Sequence, residues 1–368
     1  MFRTSSAEPA LQDQVYLVGL RYKHHARHSG YEAYGRYVGT MLRPPVNFRW
    51  TLGRWGWPVN QSIARLTRHP WYSLGAHLTE WATLKHMARR RNRLYHVLYG
   101  DSDLWLLRRA NRLTANRLVA TFHQPPNLLR ELRVIERVCR HLDGVILVSE
   151  TQRPYFEEFF PPECMYVVPL GVDTSFFRPS QTVDDELNCI TVGSHLRDFS
   201  TLKEAMQLVW RANPHVHFTA VGTRSDKKSY FPPLDDKRIQ FLDGISDEAL
   251  LHAYQSAKVA VFSFQEATAN TALLEAMASG LPIVATDTGG VSECVTPETG
   301  VLCPPQCPRA LADALLQVLG DPDLRRSFAA ASRRRALKRD YQIIAKRMAG
   351  IYTEILEKNR QTSPVESV

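Results

Sequence analysis

Apolar residues in this chain fall into short β-rich runs, separated by stretches in which they recur at helical spacing. QVYLVGL (14–20) is the first run and predicts a buried strand, after which Gly30 opens a helical pattern in RYKHHARHSGYEAYGRYVGTML. YHVLYG (95–100), RLVATFHQPP (117–126), DGVILVSE (143–150) and MYVVPLGV (165–172) predict further strands, with polar residues at several of their C-terminal ends. Residues 46–82 are rich in Trp, Gly and Pro and predict irregular chain, with one helix near 73–91; TQRPYFEEFF (151–160) predicts another helix. DTSFFRPSQTVDDEL (173–187) is polar and reads as a linker. A second series then begins with NCITVGS (188–194), HVHFTAVGT (215–223), RIQFLDG (238–244), AKVAVFSF (257–264) and LPIVATD (281–287). Helical stretches such as TLKEAMQLVWRA, DEALLHAYQSA and TALLEAMASG separate these strands, and that alternation predicts a parallel, doubly wound sheet. A long helical pattern over 322–358 carries an apolar stripe at Tyr341, Ile344, Met348, Ile351, Tyr352 and Ile355. Such a stripe needs a surface to cover, and a return across the linker onto the first domain supplies one.

Composition adds limits. The 368 residues suit two domains, each able to bury its own core, and 44% hydrophobic with 23% charged residues is ordinary for a globular protein. The net charge of +9 owes much to Arg89, Arg90, Arg91, Arg93, Arg108, Arg109, Arg112 and Arg117 in the first half. This bias favours anionic partners, namely nucleotide phosphates or an acidic lipid surface; a solvated basic face is the plain alternative. No zinc-finger, RNP-like or helix-turn-helix signal is visible, which argues against nucleic acid. Of six Cys, Cys303 and Cys307 in CPPQC have no second pair and no nearby His, so they read as ordinary thiols. With no apolar run beside a cleavage site and no uninterrupted apolar stretch of about 18 residues, a cytoplasmic protein is expected, able to touch a membrane from that side.

In open α/β sheets, ligands bind beyond the carboxyl ends of the strands, near helix N-termini that favour anions. FSFQEATANTALLEAMASG offers such a place: a strand ends at Phe264, Thr268 and Ala269 lie in the loop, and a helix starts at Asn270 or Thr271. Asn270 is a good N-cap, and the backbone N–H groups at Thr271 can cradle a phosphate. Glu275, about one turn in, can accept bonds from ribose hydroxyls; an ordinary cap and a surface Glu are the alternative.

ALLEAMASGLPIVATDTGG closely resembles the donor-site signature of GT-B glycosyltransferases, specifically the large retaining family 4. PLGVDTSFFRP (169–179) resembles that family's interdomain stretch, and VSETQRPYFEE and FLDGISDEALLHAYQSAKVAVFSF fit the pattern between. The likeness covers most of residues 115–310; the first hundred residues share only the first strand and the HSGY loop. The resemblance implies an α/β GT-B fold, with two Rossmann-like doubly wound domains facing a cleft and a C-terminal helix crossing back. It places an acceptor-side domain at 1–180, a nucleotide-sugar domain at 181–335 and the crossover helix and tail at 336–368. It implies retaining transfer from a nucleotide-sugar donor to a glycan, lipid-linked or small-molecule acceptor, with peripheral contact to an anionic membrane as a further expectation. No cofactor is expected, and no essential metal: Asp101-Ser-Asp103 has the spacing of a metal motif but lies outside the donor domain.

Site residues follow position by position. The family's motif has two Glu separated by seven residues; Glu275 matches the second, while counting back reaches Ala267, with Glu266 one position early. Either the loop shifts register and Glu266 lies near the donor, the favoured reading, or this branch does without the first carboxylate. In ITVGSHLRDFSTL the family sets a basic pair against the diphosphate. After Gly193, Ser194 or His195 stands at the first basic position and Arg197 at the second, with a surface pair to Asp198 as the alternative role for Arg197. His123 matches a strand-end His close to the transferred sugar, where a structural His is the alternative, and Gly30 matches a Gly near sugar and acceptor. Recognition of the base falls to backbone around Gly222 and Phe241. Two rival functions share these features: a GT-B-like sugar-nucleotide epimerase and a non-catalytic nucleotide-sugar-binding protein.

Overall fold

The computed structural model describes residues 11, 13–19, 28–42, 56–109, 113–133, 135–136, 141–180, 186–225, 228–229 and 236–358. They form two compact units: Met1–Tyr22, Tyr31–Pro169 and Gln342–Val368 make the first, Lys23–Gly30 and Leu170–Tyr341 the second.

In unit 1 the elements run β1 (Val15–Val18), β2 (Thr40–Leu42), α1 (Gly56–Thr67), α2 (Leu74–Ala88), β3 (Leu94–Val97), β4 (Arg117–Phe122), α3 (Pro126–Leu132), β5 (Gly144–Leu147), α4 (Arg153–Phe156) and β6 (Met165–Val167). All six strands pair in parallel, in the order β2-β1-β3-β4-β5-β6. Every residue of β1, β3 and β5 is buried, which is why these strands read as near-continuous apolar runs rather than alternating ones. Tyr95, Leu118, Phe122, Leu147 and Phe156 sit at the heart of this core.

Unit 2 repeats the plan with β7 (Asn188–Val192), α5 (Phe199–Ala212), β8 (His217–Val221), a small hairpin of β9 (Arg224–Ser225) and β10 (Lys228–Ser229), β11 (Ile239–Leu242), α6 (Asp247–Gln255), β12 (Val259–Phe262), α7 (Thr271–Ala278), β13 (Ile283–Thr286), β14 (Gly300–Cys303), α8 (Pro308–Gly320) and α9 (Pro322–Leu337). Its six-stranded sheet, order β11-β8-β7-β12-β13-β14, is again wholly parallel. The core gathers Phe218, Val259 and Val261 of the sheet with Trp210 of α5 and Leu315 of α8.

The last helix, α10 (Tyr341–Glu357), returns the chain to unit 1 from Gln342 onward, with Ile344, Met348, Ile351, Tyr352 and Ile355 buried. Gly144 makes room for it, since a Cβ there would lie 2.9 Å from Ile355 Cδ1.

Four local expectations are corrected. Residues 56–67 are helical despite Pro58, which falls in the first turn, where a missing N–H costs nothing. The helix expected over 151–160 shrinks to a capped 3-10 turn and the four residues of α4, ending at Phe156. The helical pattern opened by Gly30 is a short 3-10 helix, Tyr31–Arg36, followed by the edge strand β2. The single helix expected over 322–358 is two. Between them Val172 N–H bonds Arg339 O at 3.0 Å, and Asp340 accepts from Thr174 N at 3.2 Å and Thr174 Oγ1 at 2.5 Å. The start of the linker is held as well: Arg333 donates to Thr174 O, Phe177 O and Ala278 O at 2.9, 2.8 and 2.7 Å.

Candidate functional site

Site residues gather in two groups, one in each unit. In unit 2, two loops at the carboxyl ends of neighbouring strands are laced by backbone bonds. Asp198 N–H reaches Ser263 O at 2.9 Å and Gln265 N–H reaches Leu196 O at 2.9 Å, while Arg197 bridges Phe264. The first loop leaves β7 through Gly193 and Ser194, and the second leaves β12 and ends at Asn270.

Arg197 is the unusual member. It is only 6% exposed, with its guanidinium carbon 4.2 Å from the Phe264 ring centre and 5.2 Å from that of Phe262. Its Nη2 donates to Val192 O at 2.8 Å and Asn270 Oδ1 at 3.3 Å. Nε and Nη1 are buried without a hydrogen-bond partner among the described residues. Asp198, the partner a surface arginine would take, instead caps α5 by accepting from Thr201 N at 3.1 Å and Thr201 Oγ1 at 2.6 Å. Among the described residues no carboxylate pairs with it, and burial pulls the Arg197 pKa from 12.5 down to about 9. Burial and the nearby Arg197 also lower His195. A buried guanidinium with two unused donors is a costly arrangement that an anionic ligand relieves.

Asn270 caps α7, its Oδ1 accepting from Leu273 N at 3.0 Å. The N–H groups of Thr271 and Ala272 have no partner within the helix, so the positive end of α7 lies beside the guanidinium. Thr268, 3% exposed, contributes a buried Oγ1 without a partner among the described residues; Ala269 is partly exposed. Ala267 is buried and its carbonyl accepts from Gly290 N–H at 3.0 Å, while the neighbouring Glu266 is partly exposed. Gly289 adopts φ +51, and a Cβ there would fall 1.8 Å from Ala267 O, so the DTGG turn supports this loop at a distance only glycine allows. Farther along the sheet, Gly222 turns at φ +64 with its N–H on Leu242 O at 2.8 Å, and Phe241 packs partly buried against the core.

Glu275 is not a surface residue: it is 4% exposed. Its Oε2 lies 3.0 Å from the Tyr254 hydroxyl, and its Oε1 accepts from Ser29. Ser29 belongs to unit 2 together with His28 and Gly30. Neither Ser29 nor Tyr254 was legible as a site residue, although Ser29 adjoins the Gly30 singled out from HSGY.

In unit 1, His123 follows the end of β4, partly exposed. Its Nε2 lies 2.8 Å from Leu98 O; a carbonyl only accepts, so Nε2 carries a proton. Tyr31 meets the ring edge-on at 4.7 Å and Tyr99 lies tilted at 5.0 Å. Asp101, buried and pushed up to about 7 by desolvation, accepts His123 N–H at 2.8 Å and Gln124 N–H at 3.3 Å. Asp101 therefore fixes the turn that carries His123, a role its Asp-x-Asp spacing did not suggest.

Two family models match the chain, one over each half. The family model for glycosyl transferases group 1 matches residues 187–321, and that for glycosyltransferase family 4 matches residues 12–176. D-inositol 3-phosphate glycosyltransferase of Corynebacterium urealyticum is 32% identical over 32% of this chain and 28% of its own. Glycogen synthase of Mycobacterium tuberculosis is 26% identical over 64% of this chain and 60% of its own, so in both cases the matched part falls short of two thirds of the relative. Among solved structures, sucrose-phosphate synthase from Thermosynechococcus elongatus superposes with a TM-score of 0.74 at 20% identity, covering 93% of this chain and 98% of that one.

Proposed function

This chain belongs to the group 1 glycosyltransferases of GT-B fold, and we propose that it moves a sugar from a nucleotide-sugar donor, held in unit 2, to a glycan, lipid-linked or small-molecule acceptor. The observation that carries the reading is Arg197: a buried guanidinium with two unpartnered donors beside the N-terminus of α7. As the bond from the anomeric carbon to the diphosphate breaks, negative charge grows on the leaving oxygen, where a fixed cation and a helix dipole count most. Glu275 is assigned to the ribose, and the backbone at Gly222 and Phe241 to the base. His123 is assigned to a hydroxyl of the transferred sugar, whose retained anomeric configuration follows from the family resemblance. The acceptor oxygen bonds to the anomeric carbon and passes its proton to the departing phosphate. No step in this scheme calls for a metal.

The basic first half suits an acceptor at an anionic surface. Co-sedimentation with anionic vesicles that weakens with salt is expected; binding indifferent to salt and lipid charge would remove the membrane from the proposal. Cys189, Cys294 and Cys303 are buried and unbridged, in keeping with a reducing cytoplasm.

A thermal-shift panel of UDP-, GDP-, ADP- and dTDP-sugars tests the donor site. A rise with one nucleotide class, lost in Arg197→Met and Glu275→Ala, is expected; no rise with any of them overturns the proposal. The non-catalytic alternative draws on buried Ala267 where the family carries its first carboxylate, and donor turnover with an acceptor mixture decides against it.

A further inference from the structure

The carboxylate assigned to the ribose already has a hydroxyl on it. Ser29 donates to Glu275 Oε1. The other contact is weaker than its 3.0 Å suggests: the Tyr254 phenol has one proton, and Ala272 O lies 3.1 Å from the same oxygen. Both of those oxygens are acceptors, so Tyr254 divides its proton between them, while Ser29 directs its own at the carboxylate.

Ser29 is also held in place. The N–H of His28 bonds Asp247 at 3.0 Å, and its Nδ1 lies 2.8 Å from Asp173 Oδ2. The His28 ring stacks on Phe176 at 3.8 Å and 4°, and Gly30 O accepts from the Tyr341 hydroxyl at 3.1 Å. An anchored backbone on both sides presents the Ser29 hydroxyl to Glu275 at high effective concentration.

We infer that Ser29 is a specificity-determining residue that competes with the donor ribose for Glu275, taking on the carboxylate the position of a ribose hydroxyl. The inference rests on the donor-site reading above. Displacement needs only rotation about the serine Cα–Cβ bond into another staggered position, so the anchors on either side stay made. The competition is selective: every ligand that uses Glu275 through a ribose diol meets it, and a ligand that presents only a diphosphate does not.

Isothermal titration of UDP, GDP, ADP and inorganic pyrophosphate into the wild type, Ser29→Ala, Ser29→Cys and Glu275→Ala tests this. Ser29→Ala is expected to bind the preferred nucleoside diphosphate about tenfold to a hundredfold more tightly, the range set by losing one hydrogen bond to a charged group. Pyrophosphate affinity stays unchanged, and the 2′,3′-dideoxy nucleotide shows no gain. Ser29→Cys, of similar size but a weaker donor, falls between wild type and Ser29→Ala. Unchanged or weaker nucleotide binding by Ser29→Ala, in a wild type whose binding depends on Glu275, overturns the inference and leaves the donor site standing. Nucleotide binding that is insensitive to Glu275→Ala, or absent from the wild type, overturns the ribose assignment and this inference with it.

Discussion

At the scale of single residues, the role proposed for Arg197 sets function against stability. A buried charge without a counter-ion costs the folded state, and an apolar side chain of similar length removes that cost. Arg197→Met is therefore expected to raise unfolding stability by about 1 kcal/mol or more, read by urea denaturation. The same variant loses nucleoside diphosphate binding and about two orders of magnitude in kcat. A residue serving only the fold would show the opposite sign in the denaturation curve. Gly289 gives a second case. Its φ of +51 and the 1.8 Å approach of a Cβ to Ala267 O mean that Gly289→Ala has to push the 263–270 loop away. Destabilisation of about 1–3 kcal/mol is expected, together with weaker donor binding, whereas Gly320→Ala, with no neighbour within 4 Å of its Cβ, serves as the silent control. The sequence made Arg197 and Gly289 visible because each lies in a motif. It could not show Ser29 on Glu275, a contact across 246 positions, nor that Asp198 is spent on a helix cap.

At the scale of elements, what was legible followed the period of the hydrophobic pattern. Strands buried on both faces announce themselves as apolar runs, and β1, β3, β5, β7, β12 and β13 are all of this kind. The edge strands β2 and β14 escaped, since β2 is three residues with none fully buried and β14 four with only its ends buried, and each adjoins or contains a glycine, which leaves little pattern to read. The break between α9 and α10 has neither Pro nor Gly; long-range bonds from Val172 and Thr174 impose it. Two buried carboxylates tie loops to elements. Glu80 of α2 accepts the N–H groups of Trp105, Leu106 and Leu107, each at 2.9 Å, and Asp101 holds the turn after β4. Burial raises both to about 7. In the window from the ordinary carboxylate range up to about pH 7, the native state keeps protons that the unfolded chain has released. Stability is thus fully present below that window and falls as pH rises through it. Denaturation midpoints measured from pH 4.5 to 8 should decline across this span in the wild type, with a shallower slope in Asp101→Asn. A slope unchanged by that substitution would remove Asp101 as its source.

At the scale of the whole molecule, unit 1 is finished by the last helix. Ile344, Met348, Ile351, Tyr352 and Ile355 of α10 are buried, with Tyr352 against His96 of β3 and Ile355 against Gly144 of β5, and burial of such side chains is worth about 1.5–3 kcal/mol each. Polar contacts fix the register of the helix. The Tyr352 hydroxyl lies 2.6 Å from His96 Nδ1 and 3.1 Å from the Tyr34 hydroxyl, and Arg347 reaches Val167 O at 2.6 Å. His96, wholly buried and lowered to about 3 by desolvation, stays neutral at every working pH, so this contact does not titrate away. Removing residues 342–368 strips an apolar contribution of about 10 kcal/mol, comparable with the whole stability of a domain. Unit 2 contributes none of these residues and keeps all of its strands. The truncated chain should therefore lose one calorimetric transition and become protease-sensitive within residues 56–169, while residues 186–341 stay protected and nucleoside diphosphate binding survives. Sugar transfer should vanish, because His123 and the turn held by Asp101 go with unit 1. Tyr352→Phe is the mild counterpart. It removes one hydroxyl from a buried network, should lower the unit 1 transition by a few degrees, and should leave the unit 2 transition where it was. Loss of both transitions together in the truncated protein would show instead that the two units fold as one.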